Sequence, residues 1–280
     1  MSITAESVRT VGRRIDVASV PSVPAAGFTT SGHLGWRQSG DGVDLVHTFT
    51  AGSISDGAAV TALSDLVHAG IIVGQDEFES AMVGLIATCC DDPSDGWLAF
   101  YANSIEDLRS GRSVFSPVHR RARSLVVGRS VLEVGCCFGL FAVQCAQDGL
   151  DVQACDICPG ALALLDDASA RLGVDVRTAL GDARALPVPD DRVDTVTLIH
   201  LLEHLSSHDV TTAIREALRV ARQRVVIAVP FEDEPSAHFG HLQRLSEDDL
   251  LRWAAPWIRS GLAVTVFTDH GGWLVIDKQW

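Results

Sequence analysis

Residues 131–142 read VLEVGCCFGLFA, and the fold class is predicted from this stretch. A short apolar run leads into a turn with Gly135 and Gly139, and an apolar segment that reads as a helix start follows. A strand, a glycine turn and a helix in this order are typical of the first turn of a doubly wound sheet, where such folds bind their ligand. The dinucleotide pattern G-x-G-x-x-G fails, because Cys137 and Phe138 stand second and third after Gly135. A ligand without pyrophosphate tolerates side chains there.

The sequence after this stretch continues the alternation of β-rich runs and helical apolar spacing. Strands are predicted at residues 130–135, 151–156, 174–180, 194–199, 224–230, 262–269 and 272–278. Helices are predicted at residues 116–126, 140–149, 160–173, 209–221 and 247–255. The alternation predicts an α/β fold with a doubly wound, Rossmann-like sheet that is mostly parallel. The last two strands flank a glycine-containing turn, so they are expected to add an antiparallel strand.

The first 115 residues lack this alternation. Residues 18–42 are rich in Gly, Pro, Ser and Thr and are predicted to be loop or a poorly ordered arm. A strand is predicted at 43–50, helices at 55–70 and 75–90, and a turn at 91–96. We therefore predict an α+β extension over 1–115, loop-rich in its first 40 residues or so, and a cofactor-binding domain over 116–280. The extension is expected to recognise the substrate or to form a lid.

An acidic composition restricts the partners of the chain. The 280 residues include 36 Asp and Glu against 22 Lys and Arg, which gives a formal net charge of −14. Such a chain is a poor candidate for binding nucleic acid or an anionic membrane. No signal peptide or membrane-spanning apolar run is visible, and the seven cysteines, with adjacent pairs at 89–90 and 136–137, read as reduced thiols. We expect a cytoplasmic protein, and oligomeric state is not predicted.

The glycine turn resembles the first motif of the class I S-adenosylmethionine-dependent methyltransferases. That motif is an acidic residue followed by G-x-G-x-G, which Glu133, Gly135 and Gly139 match and from which Cys137 departs. S-adenosylmethionine carries adenosine, a sulfonium and an amino acid but no phosphate, so the resemblance agrees with the failed dinucleotide pattern. The departure puts the usual backbone path in question, since Cys adopts a positive φ less readily than Gly.

The resemblance continues downstream, in the order and spacing of the family. It implies that Asp156, at the end of the second strand, holds both ribose hydroxyls. It also implies that GDARALPVPDDRVDTV (181–196) is the adenine-binding loop, with Asp182 facing the exocyclic amine and Ala183 supplying a backbone amide. The cofactor-binding residues predicted in this way are Glu133, Gly135, Cys137, Phe138, Gly139, Asp156, Ile157, Asp182, Ala183 and His200.

A second motif lies in IHLLEHL (199–205), which contains His200, Glu203 and His204. His-x-x-Glu-His is a zinc-peptidase pattern, but a peptidase needs the whole motif on one helix. A predicted strand precedes this motif directly, so His200 ends the strand and only Glu203 and His204 open a turn or helix. In a methyltransferase fold these side chains would line the cavity where the substrate meets the methyl group.

Three roles remain open for this motif. A histidine acts as general base on a substrate hydroxyl, or the residues hold Mg²⁺, Mn²⁺ or Zn²⁺, or they only cap the helix and orient the loop. The metal alternative resembles the small-RNA 2′-O-methyltransferases and some ubiquinone-pathway O-methyltransferases, which carry E-x-x-E-H here and a further downstream ligand. The predicted metal ligands are His200, Glu203, His204 and His241, and the segment after the fifth strand offers Glu232, Glu234 and His238 as a further supply. The predicted catalytic residues are Glu203, His204 and His241.

A narrower resemblance is to the methyltransferases of the mycofactocin redox-cofactor pathway. It is carried by FYANSIEDLRSG (100–111), FSPVHRRA (115–122), LEVGCCFG (132–139) and VPFEDEPSAHFGHL (229–242). That family is associated with methylating a glucose hydroxyl on the cofactor's oligosaccharide tail, so the resemblance implies a glycan acceptor. Candidate aromatic platforms for a sugar are Trp36, Trp97, Phe100, Tyr101, Trp253 and Trp257. The alternatives are a small-molecule O-methyltransferase of another pathway and a catalytically silent, cofactor-sensing module.

Overall fold

The computed structural model describes residues 13–23 and 27–278, and these residues form two compact units. The N-terminal unit contains residues 13–114 and a short segment, 237–240. The large-sheet unit contains residues 115–236 and 241–278. The expectations for residues 1–12, that they are loop-rich and carry no signal peptide, lie outside the described residues. No helix in the described part of the chain is long and apolar enough to cross a membrane.

The N-terminal unit combines a small sheet with three helices. Its strands are β1 (Ile15–Ser19), β2 (Thr29–Ser31), β3 (Leu34–Ser39) and β4 (Gly42–His47), in the order β1-β4-β3-β2. Its helices are α1 (Asp56–His68), α2 (Gly74–Thr88) and α3 (Pro93–Ser110). The Ser55 side chain accepts a hydrogen bond from the backbone of Ala58 and caps α1.

Two predictions for this unit were wrong. Within the stretch predicted as loop, residues 29–39 form a hairpin, because β2 and β3 pair through a turn in which Gly32 has a φ of +52°. Residues 24–26 of that stretch lie outside the described residues. Residues 91–96 are not a free turn, because the Asp92 carboxylate accepts from the backbone of Ser94 and Pro93 begins α3. In both places Gly or Pro was read as a break in structure, although it shapes a tight hairpin or opens a helix.

The aromatic residues proposed as sugar platforms in α3 lie in the core instead. Phe100 and Tyr101 are fully buried, and Trp97 is 9% exposed. Trp97 and Phe100 pack edge-to-face with their ring centroids 5.6 Å apart, as core aromatic pairs commonly do. The aromatic residues of α3 therefore stabilise the core of the N-terminal unit. The rings of Phe100 and Tyr101 have no exposed surface that a ligand could contact.

The large-sheet unit is the predicted α/β fold. Its strands are β5 (Ser130–Val134), β6 (Asp151–Asp156), β7 (Val176–Leu180), β8 (Val193–Ile199), β9 (Ala221–Val229), β10 (Ala263–Thr268) and β11 (Gly272–Asp277). They form one seven-stranded sheet in the order β10-β11-β9-β8-β5-β6-β7. Pairing is parallel from β7 to β9, and β11 runs antiparallel to both β9 and β10, so the mostly parallel sheet with an antiparallel C-terminal strand is confirmed.

The helices of this unit lie close to where the sequence predicts them. They are α4 (Ser116–Leu125), α5 (Leu140–Gln147), α6 (Pro159–Leu172), α7 (Ser207–Val220) and α8 (Glu247–Arg259). The central strands are apolar on both faces, and Val131, Leu132, Val196 and Leu198 are fully buried. Such strands are covered by helices on both faces, which is the physical reason for the doubly wound fold. Because β5, β6, β8 and β9 are parallel, their carboxyl ends share one edge, and the loops that follow them meet there.

Asp194, near the start of β8, joins this strand to the start of β5. Its Oδ2 accepts hydrogen bonds from the backbone N–H of Arg129 (2.8 Å), the backbone N–H of Ser130 (3.1 Å) and the hydroxyl of Ser130 (3.0 Å). Burial raises the pKa of Asp194, but the hydrogen bonds from Arg129 and Ser130 outweigh that effect and bring the pKa to about 2. The ionised carboxylate therefore stabilises the folded chain.

Replacing Asp194 with Ala should lower the free energy of unfolding at neutral pH by about 1–3 kcal/mol, because two backbone donors lose a charged acceptor. The pKa of Asp194 is lower in the folded state than in the unfolded state, so its contribution is present above about pH 4 and is lost as the pH falls towards 2. Denaturant unfolding of both proteins across this range measures the difference. Asp175→Ala, which removes an exposed carboxylate before β7, is the matched control. Equal stability of the Asp194 variant and the parent at neutral pH would contradict this assignment.

Candidate active site

The turn after β5 keeps the backbone path of a glycine-rich turn although a cysteine replaces one glycine. Gly135, Cys137 and Gly139 have φ values of +71°, +49° and +67°. A Cβ on Gly135 would lie 2.6 Å from Leu201, and one on Gly139 would lie 2.5 Å from Leu165, so both positions require glycine. Cys137 therefore adopts the left-handed conformation that the sequence analysis put in question, and its side chain is exposed.

Asp156, at the carboxyl end of β6, holds this turn. Its Oδ2 accepts a 2.8 Å hydrogen bond from the backbone N–H of Cys137, and its Oδ1 accepts one of 2.8 Å from the backbone N–H of Cys158. The first bond fixes the exposed part of the turn, and the second fixes the start of α6. Each carboxylate oxygen keeps a further lone pair for a ligand. The next residue, Ile157, is 40% exposed and offers an apolar surface beside this carboxylate.

Glu133 lies beneath the turn, and its carboxyl group contacts the backbone. It is 6% exposed, and its Oε2 accepts a 2.9 Å hydrogen bond from the backbone N–H of Ala142 in α5. Burial raises the pKa of Glu133 to about 8, against the effect of that hydrogen bond. The observed contact orients the start of α5 relative to β5 and so shapes the turn that Gly135 and Gly139 form.

The loop after β7 places Asp182 in a local ion pair. Arg184 donates to both carboxylate oxygens of Asp182, with its Nη2 2.6 Å from Oδ2 and its Nε 2.9 Å from Oδ1. These hydrogen bonds from Arg184 hold the pKa of Asp182 below its usual range. Ala183 lies between them and is 9% exposed. Asp182 is therefore ionised at neutral pH and already has a cationic partner within the loop.

His200 turns the chain away from the sheet directly after β8. It has a φ of +52°, and its backbone N–H donates to the carbonyl of Ala228 in β9 at 2.9 Å. Its ring packs edge-on against Phe115, with the ring centroids 6.1 Å apart. Burial is the main cause that lowers the pKa of His200 to about 4, so its ring is neutral at physiological pH. Leu202 then enters the core with no exposed surface and begins a short 3₁₀ turn, Leu202–His204.

The candidate reactive group consists of Glu203 and His204 from this 3₁₀ turn and His241 from the loop after β9. One ligand atom from each of the three residues lies within 4.8 Å of those of the other two. The rings of His204 and His241 pack edge-on with centroids 4.9 Å apart, and His241 Nε2 lies 4.0 Å from Glu203 Oε1. His200 is outside this group, so the structure assembles three of the four predicted ligands.

The carboxyl group of Glu203 is buried, and no hydrogen bond to the described residues compensates for the loss of water. The side chain is 1% exposed, and neither carboxyl oxygen has a hydrogen-bond partner within residues 13–23 and 27–278. Burial raises the pKa of Glu203 to about 8, so without a cation the group is largely protonated at neutral pH. Leaving a buried polar group unsatisfied costs about 1–3 kcal/mol, and native proteins rarely tolerate it without a functional reason.

Three hydrogen bonds join the loop after β9 to the 3₁₀ turn. The backbone N–H of Leu242 donates to the carbonyl of Glu203 at 2.9 Å, and the amide of Gln243 donates to the carbonyls of Leu202 and Leu205 at 3.2 and 2.7 Å. These bonds bring His241 to Glu203 although 38 positions separate them in the sequence. Sequence spacing alone predicts the candidates but not this pairing.

The structure also reveals a histidine that the sequence analysis missed. His119, in α4, is not among the predicted site residues, and its Nδ1 is buried with no partner in the described part of the chain. Burial is the main cause that lowers the pKa of His119 to about 4. Its ring packs edge-on against Phe141 at 5.8 Å. A signal was available, because Val118 and Ala122 place apolar residues beside it on the same helix.

Known proteins resemble part of the chain. Residues 132–229 match a family model described as a methyltransferase domain. Ajmaline N-methyltransferase from Rauvolfia serpentina is 31% identical over 104 residues, which are 36% of this chain and 35% of that protein. Ubiquinone biosynthesis O-methyltransferase from Pseudomonas fluorescens (strain SBW25) is 31% identical over 99 residues, which are 35% of this chain and 41% of that protein. The chain therefore spans less than half the length of these curated relatives.

A solved structure shares the fold. The PH0226 protein from Pyrococcus horikoshii OT3 superposes with a TM-score of 0.52 over 61% of this chain and 92% of that chain, at 15% sequence identity. Residues 132–229 therefore resemble a methyltransferase domain, and the sheet that contains them shares the fold of the PH0226 protein.

Proposed function

We propose that the chain transfers the methyl group of S-adenosylmethionine to a hydroxyl of a glycan. The observation that carries this proposal is the group Glu203, His204 and His241, which lies at the carboxyl edge of the sheet that also carries the turn after β5. The narrower acceptor that we propose is a glucose of the mycofactocin oligosaccharide, which the sequence resemblance implies. The net charge of −14 suits a neutral glycan better than a nucleic acid.

Asp156 is the proposed ribose ligand. Each of its oxygens accepts one backbone hydrogen bond, which holds the carboxylate in place and leaves lone pairs for two vicinal hydroxyls. The exposed side chain of Ile157 would pack against the adenine, whose exocyclic amine would donate to Asp182 while Ala183 supplies a backbone amide. Cys137 and Phe138 would present their backbone to the methionine part, with His200 at its end. Glu133 would act through the turn that it supports.

The reaction needs a group that either removes the proton of the acceptor hydroxyl or lowers the pKa of that hydroxyl. A hydroxyl is a poor nucleophile until the proton leaves during attack on the methyl carbon. Glu203, His204 and His241 fit a divalent cation, because a buried carboxyl group without partners faces two imidazoles. Two nitrogen donors and one carboxylate suit Mn²⁺ or Zn²⁺ better than Mg²⁺. A bound cation would act as a Lewis acid on the hydroxyl and lower its pKa.

The N-terminal unit is the proposed substrate-recognition part. It lies outside residues 132–229, which match the methyltransferase domain, and it has a core and a sheet of its own. In this fold class, additions to the common domain shape the acceptor pocket, while the domain itself binds the cofactor. Its role is therefore tested by the range of acceptors rather than by cofactor binding.

Replacing Asp156 with Ala should weaken S-adenosylmethionine binding about 10- to 100-fold, because the ribose diol loses a charged acceptor worth about 1.5–3 kcal/mol. Calorimetric titration of the folded variant measures the change. The matched control is Asp167→Ala, which removes an exposed carboxylate from the neighbouring α6. Unchanged affinity in a folded Asp156 variant would remove this carboxylate from the cofactor site.

Cys137 should be protected from alkylation by S-adenosylhomocysteine. It is the one cysteine in the described chain with an exposed side chain, whereas Cys136 and Cys155 are buried and burial raises the pKa of both thiols. A ligand at about ten times its dissociation constant leaves about a tenth of the sites open, so labelling should slow about tenfold. Peptide mass spectrometry measures the rate, with half-buried Cys90 as the internal reference. Equal labelling of Cys137 with and without ligand would place the ligand elsewhere.

A chelator distinguishes the metal mechanism from proton removal by a histidine alone, in an assay with labelled S-adenosylmethionine and a glucose-containing oligosaccharide. With a metal, a chelator should abolish turnover and added Mn²⁺ or Zn²⁺ should restore it, while cofactor binding stays nearly unchanged. Without one, the chelator has no effect, because a histidine then takes the proton of the acceptor hydroxyl directly.

The metal mechanism requires both histidines of the group, and the base mechanism requires one of them. At least one of His204→Ala and His241→Ala should therefore reduce turnover about 100- to 10,000-fold, the range for loss of a group that assists proton removal. His208→Ala, at an exposed position in α7, is the matched control. Full activity of both variants with an accepted glycan would refute the proposed site, and cofactor binding without methylation of any acceptor would favour the silent module.

A further inference from the structure

Glu232, in the loop after β9, is the residue that contacts His241 from the side opposite Glu203. Its Oε2 lies 2.7 Å from His241 Nδ1, and its Oε1 accepts a 2.7 Å hydrogen bond from the hydroxyl of Ser236. Its backbone carbonyl accepts from the guanidinium of Arg244 at 3.1 Å. Glu232 is therefore held at both its side chain and its backbone, and it lies outside the group formed by Glu203, His204 and His241.

These contacts decide which nitrogen of His241 carries the proton. An ionised carboxylate only accepts hydrogen bonds, so Nδ1 must be the donor. In the neutral ring, Nε2 then has no hydrogen and presents its lone pair. Nε2 is the nitrogen that lies 4.0 Å from Glu203 Oε1, on the side of the three-residue group.

The backbone on both sides of His241 is also fixed. The N–H of His241 donates to the carbonyl of Ser236 at 3.3 Å, which closes the loop that begins at Glu232. The N–H of the next residue, Leu242, donates to the carbonyl of Glu203 at 2.9 Å. The His241 side chain is 8% exposed, so its ring has little room to turn. With Glu232 at Nδ1, the ring is fixed in both orientation and tautomer.

We infer that Glu232 is a positioning residue that holds His241 as the Nδ1–H tautomer, so that Nε2 is the nitrogen that binds a cation or takes the proton of the acceptor hydroxyl. The role of Nε2 in binding a cation or accepting a proton rests on the proposed function, whereas the assignment of the tautomer does not. Glu232 was a candidate metal ligand in the sequence analysis. Its observed contact is with His241 Nδ1, so it would support a ligand of the cation rather than bind the cation itself. Carboxylates in that position orient histidine ligands and raise their basicity.

Nitrogen NMR of the full chain tests the tautomer directly. At a pH well above the imidazole range, long-range ¹⁵N–¹H correlation spectra distinguish a protonated from an unprotonated ring nitrogen. For His241 we expect protonated Nδ1 and unprotonated Nε2, with the signals assigned by their loss in His241→Ala. The opposite tautomer in the parent protein would overturn the inference, whether or not the chain methylates a glycan.

A variant tests the cause. Glu232→Ala should leave His241 as a mixture of tautomers and weaken Co²⁺ or Mn²⁺ binding by the purified chain about 10- to 100-fold, the usual effect of losing such a partner. Asp233→Ala removes an exposed carboxylate at the next position and should change neither property. Circular dichroism confirms that both variants are folded. A folded Glu232 variant with the parent's tautomer would overturn the inference, whereas loss of the tautomer without any cation binding would support it and reject the metal mechanism alone.

Discussion

The buried carboxyl group of Glu203 is the constraint on which the candidate site depends. Its side chain has 1% of its surface exposed and no hydrogen-bond partner for either oxygen in the described part of the chain. Burial raises the pKa of this group to about 8, which means that the fold stabilises its neutral form when nothing cationic is near. A buried carboxyl group without hydrogen bonds lowers the stability of the fold. The imidazoles of His204 and His241 beside it indicate that the group has a functional role.

Two features bring this group to the same edge of the sheet as the turn after β5. The parallel strands β5, β6, β8 and β9 end at one edge, so the turn held by Asp156 and the 3₁₀ turn after His200 occupy the same side of the sheet. The loop after β9 then returns to the 3₁₀ turn through the hydrogen bond from Leu242 to Glu203. The cofactor-binding and proton-accepting groups that we propose thus come from different segments, and the register of one sheet aligns them.

The large sheet could be predicted from the sequence because its strands are buried on both faces and read as continuous apolar runs. The same reasoning failed at 29–39, where a Gly-containing segment forms a hairpin, and at 91–96, where Pro93 opens a helix. Within the site, the sequence supplied Glu203, His204 and His241 as candidates, and the structure brings their ligand atoms together. His200 lies outside the group and has a φ of +52°, and no spacing rule predicts either feature. The contact of Glu232 with His241 depends likewise on how the loop closes through Ser236.

The most direct measurement is calorimetric titration of the purified chain with S-adenosylmethionine, S-adenosylhomocysteine and NADH. The account predicts saturable binding of one S-adenosylmethionine per chain and competition by S-adenosylhomocysteine. It predicts no binding of NADH. In a dinucleotide-binding turn, glycine lets the pyrophosphate approach the backbone, whereas this turn carries the side chains of Cys137 and Phe138. Binding of NADH in place of S-adenosylmethionine, or failure of a folded chain to bind S-adenosylmethionine, would contradict the account.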